Sequence, residues 1–156
     1  MDRLEIREPT EEDILELIEN MSIEDRREIL SQGISIEWGV RHTIETSTEA
    51  VAFRWDGKLA AITGLCVHGI LIESYFPWLL GTPEMQKHPR KVLSFSRQIL
   101  ARWRAKHPYM VNYVDARHHR AISWLTHLGA KFEFIEKHGA YQRPFYKFSF
   151  GDEQCA

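Results

Sequence analysis

Two apolar runs, Ala50 to Trp55 and Leu59 to Val67, flank the dipeptide Asp56-Gly57, and no other segment constrains the fold as tightly. A two-residue connection of type I′ needs positive φ at both central positions, which aspartate tolerates and glycine adopts freely. The chain is therefore expected to double back here as a β-hairpin. In the first arm, Val51, Phe53 and Trp55 alternate with Ala52 and Arg54, the period of a strand with one buried face. A further strand is expected over Glu73 to Leu80, through Tyr75, Phe76, Trp78 and Leu79. Its Pro77 has no N–H to give to a ladder, which assigns it to an edge or a bulge.

Ahead of the hairpin, Leu4-Glu5-Ile6-Arg7 alternates as a short strand that Pro9 ends. Thr10 suits an N-cap, and Glu11, Glu12 and Asp13 follow where a helix start favours negative charge. Ile14, Ile18 and Met21 then form the stripe of a first helix. Ser22 caps a second, with Glu24 and Asp25 in its first turn, Ile23 and Leu30 on one side, and Gly33 at its end. Beyond the strands, Pro89 to Lys106 changes to helical period: Val92, Phe95, Ile99 and Trp103 share one face, while Arg97, Gln98, Arg102 and Arg104 face water. Tyr109 to Val114 reads as a strand. Ala121, Ile122, Trp124, Leu125 and Leu128 mark another helix closed by Gly129. Ala130 to Ile135 and Phe145 to Phe150 are the last strands, joined through Lys137-His138-Gly139, with a frayed tail from Gly151. The order β-α-α-β-β-β-α-β-α-β-β predicts one α/β domain over residues 1–150, a mixed sheet with helices on both faces.

The chain has 156 residues, enough for one core that needs no disulfide or metal to fold. Twenty basic and twenty-two acidic side chains leave a formal charge of -2, which excludes a basic DNA-coating protein. The basic helix face of Arg97, Arg102, Arg104 and Lys106 reads as a solvated exterior, and nucleic acid is not expected as a partner. Cys66 and Cys155 stand far apart, one in an apolar run and one in a polar tail, which favours a reducing cytoplasm over a disulfide framework. The charged start, Met1-Asp2-Arg3-Leu4-Glu5, carries no apolar signal core, and no run reaches the roughly 18 apolar residues of a membrane span. A soluble intracellular protein is expected, with no membrane partner.

The segment Asn112 to Phe132 reads as a strand, then a helix with His118-x-x-Ala121-x-x-x-Leu125-x-x-x-Gly129-Ala130, then a strand. It resembles the Asn-x-x-Ala-x-x-x-Tyr-x-x-x-Gly-Phe pattern of GCN5-related N-acetyltransferases (GNAT), whose element order the whole chain resembles. The resemblance implies an acyl-CoA N-acyltransferase fold with a mostly antiparallel central sheet. A closer likeness is to the short-tailed-phage internal virion protein A family, which is itself similar to GNAT proteins. Its residues are Trp78-Leu79-Leu80-Gly81-Thr82, Ser94-x-Ser96-Arg97, Asn112-Tyr113-Val114 and Trp124-Leu125-x-x-Leu128-Gly129-Ala130-x-Phe132.

In GNAT enzymes a Gln/Arg-x-x-Gly-x-Gly/Ala loop holds the cofactor pyrophosphate with converging backbone N–H groups at a helix start. The corresponding stretch is Gln86-Lys87-His88-Pro89-Arg90-Lys91. Pro89 stands at the first glycine position and removes a donor, and Lys91 crowds the second. The family's proton-returning tyrosine is matched by Leu125, which has no proton to give, and its helix-start asparagine by His118. These departures imply an inactive relative with no cofactor. On the opposite reading, Gln86, Lys87, Arg90 and Lys91 bind acetyl-CoA by charge, and Tyr113 or His118 (or the adjacent His119) supplies the proton. Charges in a first turn are otherwise the solvated start of a surface helix.

Eight histidines contain no His-x-x-x-His pair, so no metal is expected. Cys66 reads as an inert core thiol, Ser94 and Ser96 lack an acid-base partner, and the five tryptophans, Trp38, Trp55, Trp78, Trp103 and Trp124, read as core. The expectation from likeness is a non-enzymatic phage protein, a virion assembly factor or minor internal virion component. Its partners would be phage or host proteins, and its place the host cytoplasm or the virion. The alternatives are an active acetyl-CoA-dependent N-acetyltransferase and a modulator that binds a host or phage protein. Oligomeric state is left open.

Overall fold

A computed structural model describes residues 3–152. The elements run β1 (Leu4–Arg7), α1 (Glu11–Asn20), α2 (Ile23–Leu30), α3 (Ile36–Glu45), β2 (Ser47–Trp55), β3 (Lys58–His68), β4 (Ser74–Gly81), a 3-10 turn (Pro83–Lys87), α4 (Pro89–Lys106), β5 (Met110–Asp115), α5 (His119–His127), β6 (Lys131–His138) and β7 (Arg143–Phe150). The Asp-Gly hairpin forms as expected. Asp56 and Gly57 take φ of 49° and 80°, and Trp55 pairs with Lys58. From residue 153 onward the expected tail, Cys155 included, lies outside the described residues, as do Met1 and Asp2. Within that expected tail, Asp152 accepts a hydrogen bond from Lys131 Nζ at 2.6 Å. No described helix is long and apolar enough to cross a membrane.

Three expectations are corrected. First, a helix that the expected order lacks, α3, follows α2. Ser35 caps it by accepting from Trp38 N at 3.2 Å, and Ile36, Val40 and Ile44 give the helical spacing. Trp38 rides on this helix at 52% exposure, stacked on His42 rather than in the core.

Second, α2 is turned the other way round. Ile23 and Leu30 are 71% and 50% exposed, while Asp25 is buried. The inward side meets strand ends with backbone N–H groups to satisfy, and a carboxylate does that where an aliphatic cannot.

Third, the sheet is not continuous. One sheet has the order β1-β2-β3-β4 and the other β5-β7-β6, every described pair being antiparallel. β5 lies beside β4, yet no ladder joins them. A side chain spans the split: Asn112 Nδ2 donates to the Pro77 carbonyl at 2.9 Å. Pro77 sits on an edge, as expected, because it has no N–H to offer β5.

Core residues fill both sides. Ile99, Leu100 and Trp103 of α4 pack with Val51, Leu65, Val114, Leu125, Phe148 and Phe150 in one cluster. In another, Leu17 and Met21 of the α1 segment pack with Val40, Ala52, Leu59 and Ile62. Gly64 of β3 allows Trp78 to lie across the sheet. A Cβ there would stand 2.6 Å from Trp78 Cζ2 and 2.7 Å from the Glu49 carbonyl oxygen. Gly64→Ala is expected to cost about 1–3 kcal/mol through overpacking against backbone, read as a lower urea midpoint at unchanged slope.

Candidate functional site

Where β4 and β5 part, a cavity of about 330 Å³ opens. Pro77 to Leu80 of β4 and Asn112 to Val114 of β5 form its flanks. α4 contributes Ser96, Ile99 and Trp103, α5 contributes Ala121, Trp124 and Leu125, and α2 closes one side with Asp25 and Glu28. Most of this lining is apolar, as small-molecule sites are, with a few converging polar groups.

Alternation along β4 turns Pro77, Leu79 and Gly81 toward the gap. The Pro77 carbonyl accepts from Asn112, while Gly81 gives its N–H to Asp25 Oδ2 at 2.8 Å and accepts from Ser22 N at 2.9 Å. Between them Leu79 keeps a backbone amide at the cavity edge with no partner outside the β3 ladder among the described residues. Trp124 Nε1 is also buried without a partner. A buried donor left unpaired costs about 1–3 kcal/mol, so Trp124 Nε1 favours a polar guest.

The polar end of the cavity is built by α2 against both strands. Glu28 Oε1 accepts from the Asp115 backbone N–H at 2.9 Å. Asp25 takes Gly81 N–H with one oxygen and meets His118 Nε2 at 3.2 Å with the other. Asp115 itself is held by Arg117, at 2.7 Å and 3.0 Å to its two oxygens. Burial, with the nearby Asp25 carboxylate adding to it, raises the Glu28 pKa to about 8. Glu28 is thus the cavity acid poised to exchange a proton near neutral pH.

The residues expected from sequence fall into separate places. Tyr113 lines the cavity, its ring stacked on His138 at 4.1 Å. His118 caps α5 instead: its Nδ1 accepts from Ala121 N at 3.2 Å, which puts the proton on Nε2, toward Asp25. Burial opposes its charge, but Asp25 and Glu28 outweigh that and hold its pKa above the ordinary histidine value. Both ring nitrogens are engaged, so His118 positions Asp25. Leu125, at the family's tyrosine position, is a cavity wall.

Gln86, Lys87, Arg90 and Lys91 are exposed around the start of α4 and are not part of the cavity. Lys87 binds Glu84 at 2.7 Å, and Lys91 Nζ sits 4.7 Å over the Trp55 ring. His88 stacks on that indole at 3.8 Å. Arg90 has no ion-pair partner among the described residues. No cluster of three metal-ligating side chains occurs among those residues. Sequence reasoning missed Glu28 and saw Asp25 only as a helix-start charge. Their one local signal is the three-residue spacing that shares a helix face with Ile29 and Gln32.

Solved structures share this fold. The GNAT-family acetyltransferase from Bacillus anthracis matches with a TM-score of 0.66 at 16% identity, over 97% of this chain and 96% of that one. The Bacillus subtilis acetyltransferase in complex with CoA gives 0.61 at 11% identity, over 98% and 100%. A chain of the NatC complex bound to Gag peptide and CoA gives 0.71 at 10% identity, over 97% and 99%. No family model and no curated protein matches the sequence. The α/β GNAT-like fold expected from sequence is the fold of this chain.

Proposed function

We propose that this chain is an acyl-CoA-dependent N-acyltransferase, with acetyl-CoA as the simplest donor. One observation carries the reading: β4 and β5 part, with no ladder between them, around a cavity of about 330 Å³ that Leu79 and Trp124 both line. A donor arm built of amides is the guest that would pair with a free strand edge. The fold neighbours bound to CoA support the same choice.

The chain's own groups divide the work. Leu79 and Trp124 N–H would hold the arm. Arg90, with Lys87 once it leaves Glu84, would meet the diphosphate in place of the missing glycine nest. The donor supplies a thioester carbonyl and a thiol leaving group. Glu28 in its carboxylate form accepts the proton of an incoming amine, and Tyr113 is the cavity hydroxyl able to return one. His118 acts through Asp25.

A second reading keeps the fold without the chemistry: a phage protein serving virion assembly through phage or host proteins, in the host cytoplasm or the virion. Pro89, the Lys91–Trp55 contact and Leu125 favour it; the fold comparisons add nothing to it. The two part on thiol release from acetyl-CoA by the full chain with mixed small amines and peptides. The enzyme reading expects amine-dependent release, with Lys87→Ala plus Arg90→Ala raising the KM for acetyl-CoA about tenfold. No release above the protein-free rate with any acceptor sinks it.

A further inference from the structure

One side of the cavity is walled by α2 and, beyond it, by the β6–β7 turn. α2 spans the gap and is bonded to both strands, to Gly81 at the end of β4 through Asp25 and to Asp115 at the end of β5 through Glu28. Beyond α2, the following loop meets the β6–β7 turn without room to spare. A Cβ on Gly139 would lie 3.2 Å from the Ser31 carbonyl oxygen and 3.2 Å from Gln32 Nε2, and one on Gly33 would lie 3.1 Å from Ala140 Cβ. Next to Gly139, His138 stacks on Tyr113 and so returns the wall to β5. The wall therefore runs from α2 through the turn to β5.

What this wall encloses is acidic and aromatic. Glu28 spends one oxygen on Asp115 N–H, and Oε2 has no partner among the described residues. Asp25 stands behind it with His118 on its outer oxygen. Tyr113, His138, Trp78 and Phe145 supply flat apolar surface in the same cavity. A carboxylate end beside aromatic walls suits an ammonium on a short apolar stem.

Building on the acyltransferase reading, we propose that the acceptor is a small primary amine, bound as an ammonium against Glu28 beneath the α2–α3 and β6–β7 seam. A peptide or a lysine of a folded protein would have to push this seam apart to reach Glu28. The amine gives one proton to the Glu28 carboxylate. Its freed lone pair forms the N–C bond as the C–S bond of the acyl thioester breaks, and the amine nitrogen loses a second proton as the thiolate gains one. An amide and a free thiol leave.

The test uses the full chain with 2-phenylethylamine, its uncharged analogue 2-phenylethanol and a lysine-containing decapeptide. Without donor, calorimetry at pH 9, where Glu28 has given up its proton, should show the amine binding about tenfold or more tightly than the alcohol, a preference lost in Glu28→Gln. With acetyl-CoA, kcat/KM for the amine should exceed that for the peptide by a similar factor. Binding that ignores the charge, or acylation of the peptide as fast as the amine, overturns the proposal. Should acetyl-CoA neither bind nor react while the amine binds through Glu28, the acyltransferase reading fails and the amine pocket stands. Should acetyl-CoA be consumed with the peptide alone, the reading stands and the small-amine pocket falls.

Discussion

Asp13→Ala is expected to lower stability by about 3–5 kcal/mol, among the largest losses available to a single substitution in this chain. Asp13 is completely buried at the start of α1. Its Oδ2 accepts the Thr10 backbone N–H at 2.8 Å, closing a capping box. Oδ1 takes Arg54 at 2.7 Å and Arg7 at 3.0 Å. Arg54, itself buried, also donates to Glu16 and to the Gly57 carbonyl, so the cluster ties α1 to the base of the Asp-Gly hairpin. Removing the carboxylate leaves the buried guanidinium without its closest anion and opens the reciprocal half of the capping box. Asp13→Asn keeps the shape and loses the charge, and should fall between. Burial alone would raise the Asp13 pKa, but bonds from Thr10, Arg7 and Arg54 hold it below the ordinary 3.8. Its contribution is therefore complete above that value and is lost as pH falls through the lower folded value. Urea unfolding at neutral pH and again near pH 3 should show the wild-type advantage over Asp13→Ala shrinking with acid.

Glu28 gives the opposite pH dependence. Its pKa stands near 8 in the folded chain against an ordinary value of 4.5, so the native state holds the extra proton between those limits. Stability should then decline as pH rises through that window, by up to about 1.4 kcal/mol per unit and a few kcal/mol in all. The raised His118 pKa acts in the same direction: protonating Nδ1 gives up the Ala121 N–H, but the charged ring gains on Asp25 and Glu28, and that gain is lost as pH rises past the folded value. Glu28→Gln removes the larger part. The variant should match wild type near pH 5 and exceed it by about 2–4 kcal/mol at pH 9, while the His118–Asp25 part of the slope remains. Thermal unfolding across pH 5–9 reads both. A variant slope as steep as wild type would place the titration elsewhere.

The two carboxylates differ in how far sequence reveals them. Asp13 sits three residues after Thr10, and that spacing already marks a cap; only its bond to Arg54 is hidden. Glu28 gains its character from Asp115, eighty-seven positions away, and from turning inward on a helix whose Ile23 and Leu30 suggested the other side. The hairpin at Asp56-Gly57, the helix from Pro89 and the Gly129 stop were readable because each rests on neighbouring residues. α3 carries the same kind of local signal, Ser35 followed by Ile36, Val40 and Ile44 at helical spacing. The split between β4 and β5 has no local signature beyond Pro77, because it depends on which strand edges find partners. For the same reason Tyr113 could be named as a candidate, whereas the place of Leu79 beside the cavity could not.

The account rests on the gap between β4 and β5 being the seat of an acyl-CoA arm. Titration calorimetry of the full chain with acetyl-CoA, and with desulfo-CoA as a thiol-free control, tests that most directly. The account predicts saturable one-to-one binding at about micromolar affinity, competitive between the two ligands and weakened about tenfold in Arg90→Ala plus Lys87→Ala. Absence of heat with either ligand up to millimolar concentration would contradict it, and would leave the cavity to a guest other than acyl-CoA.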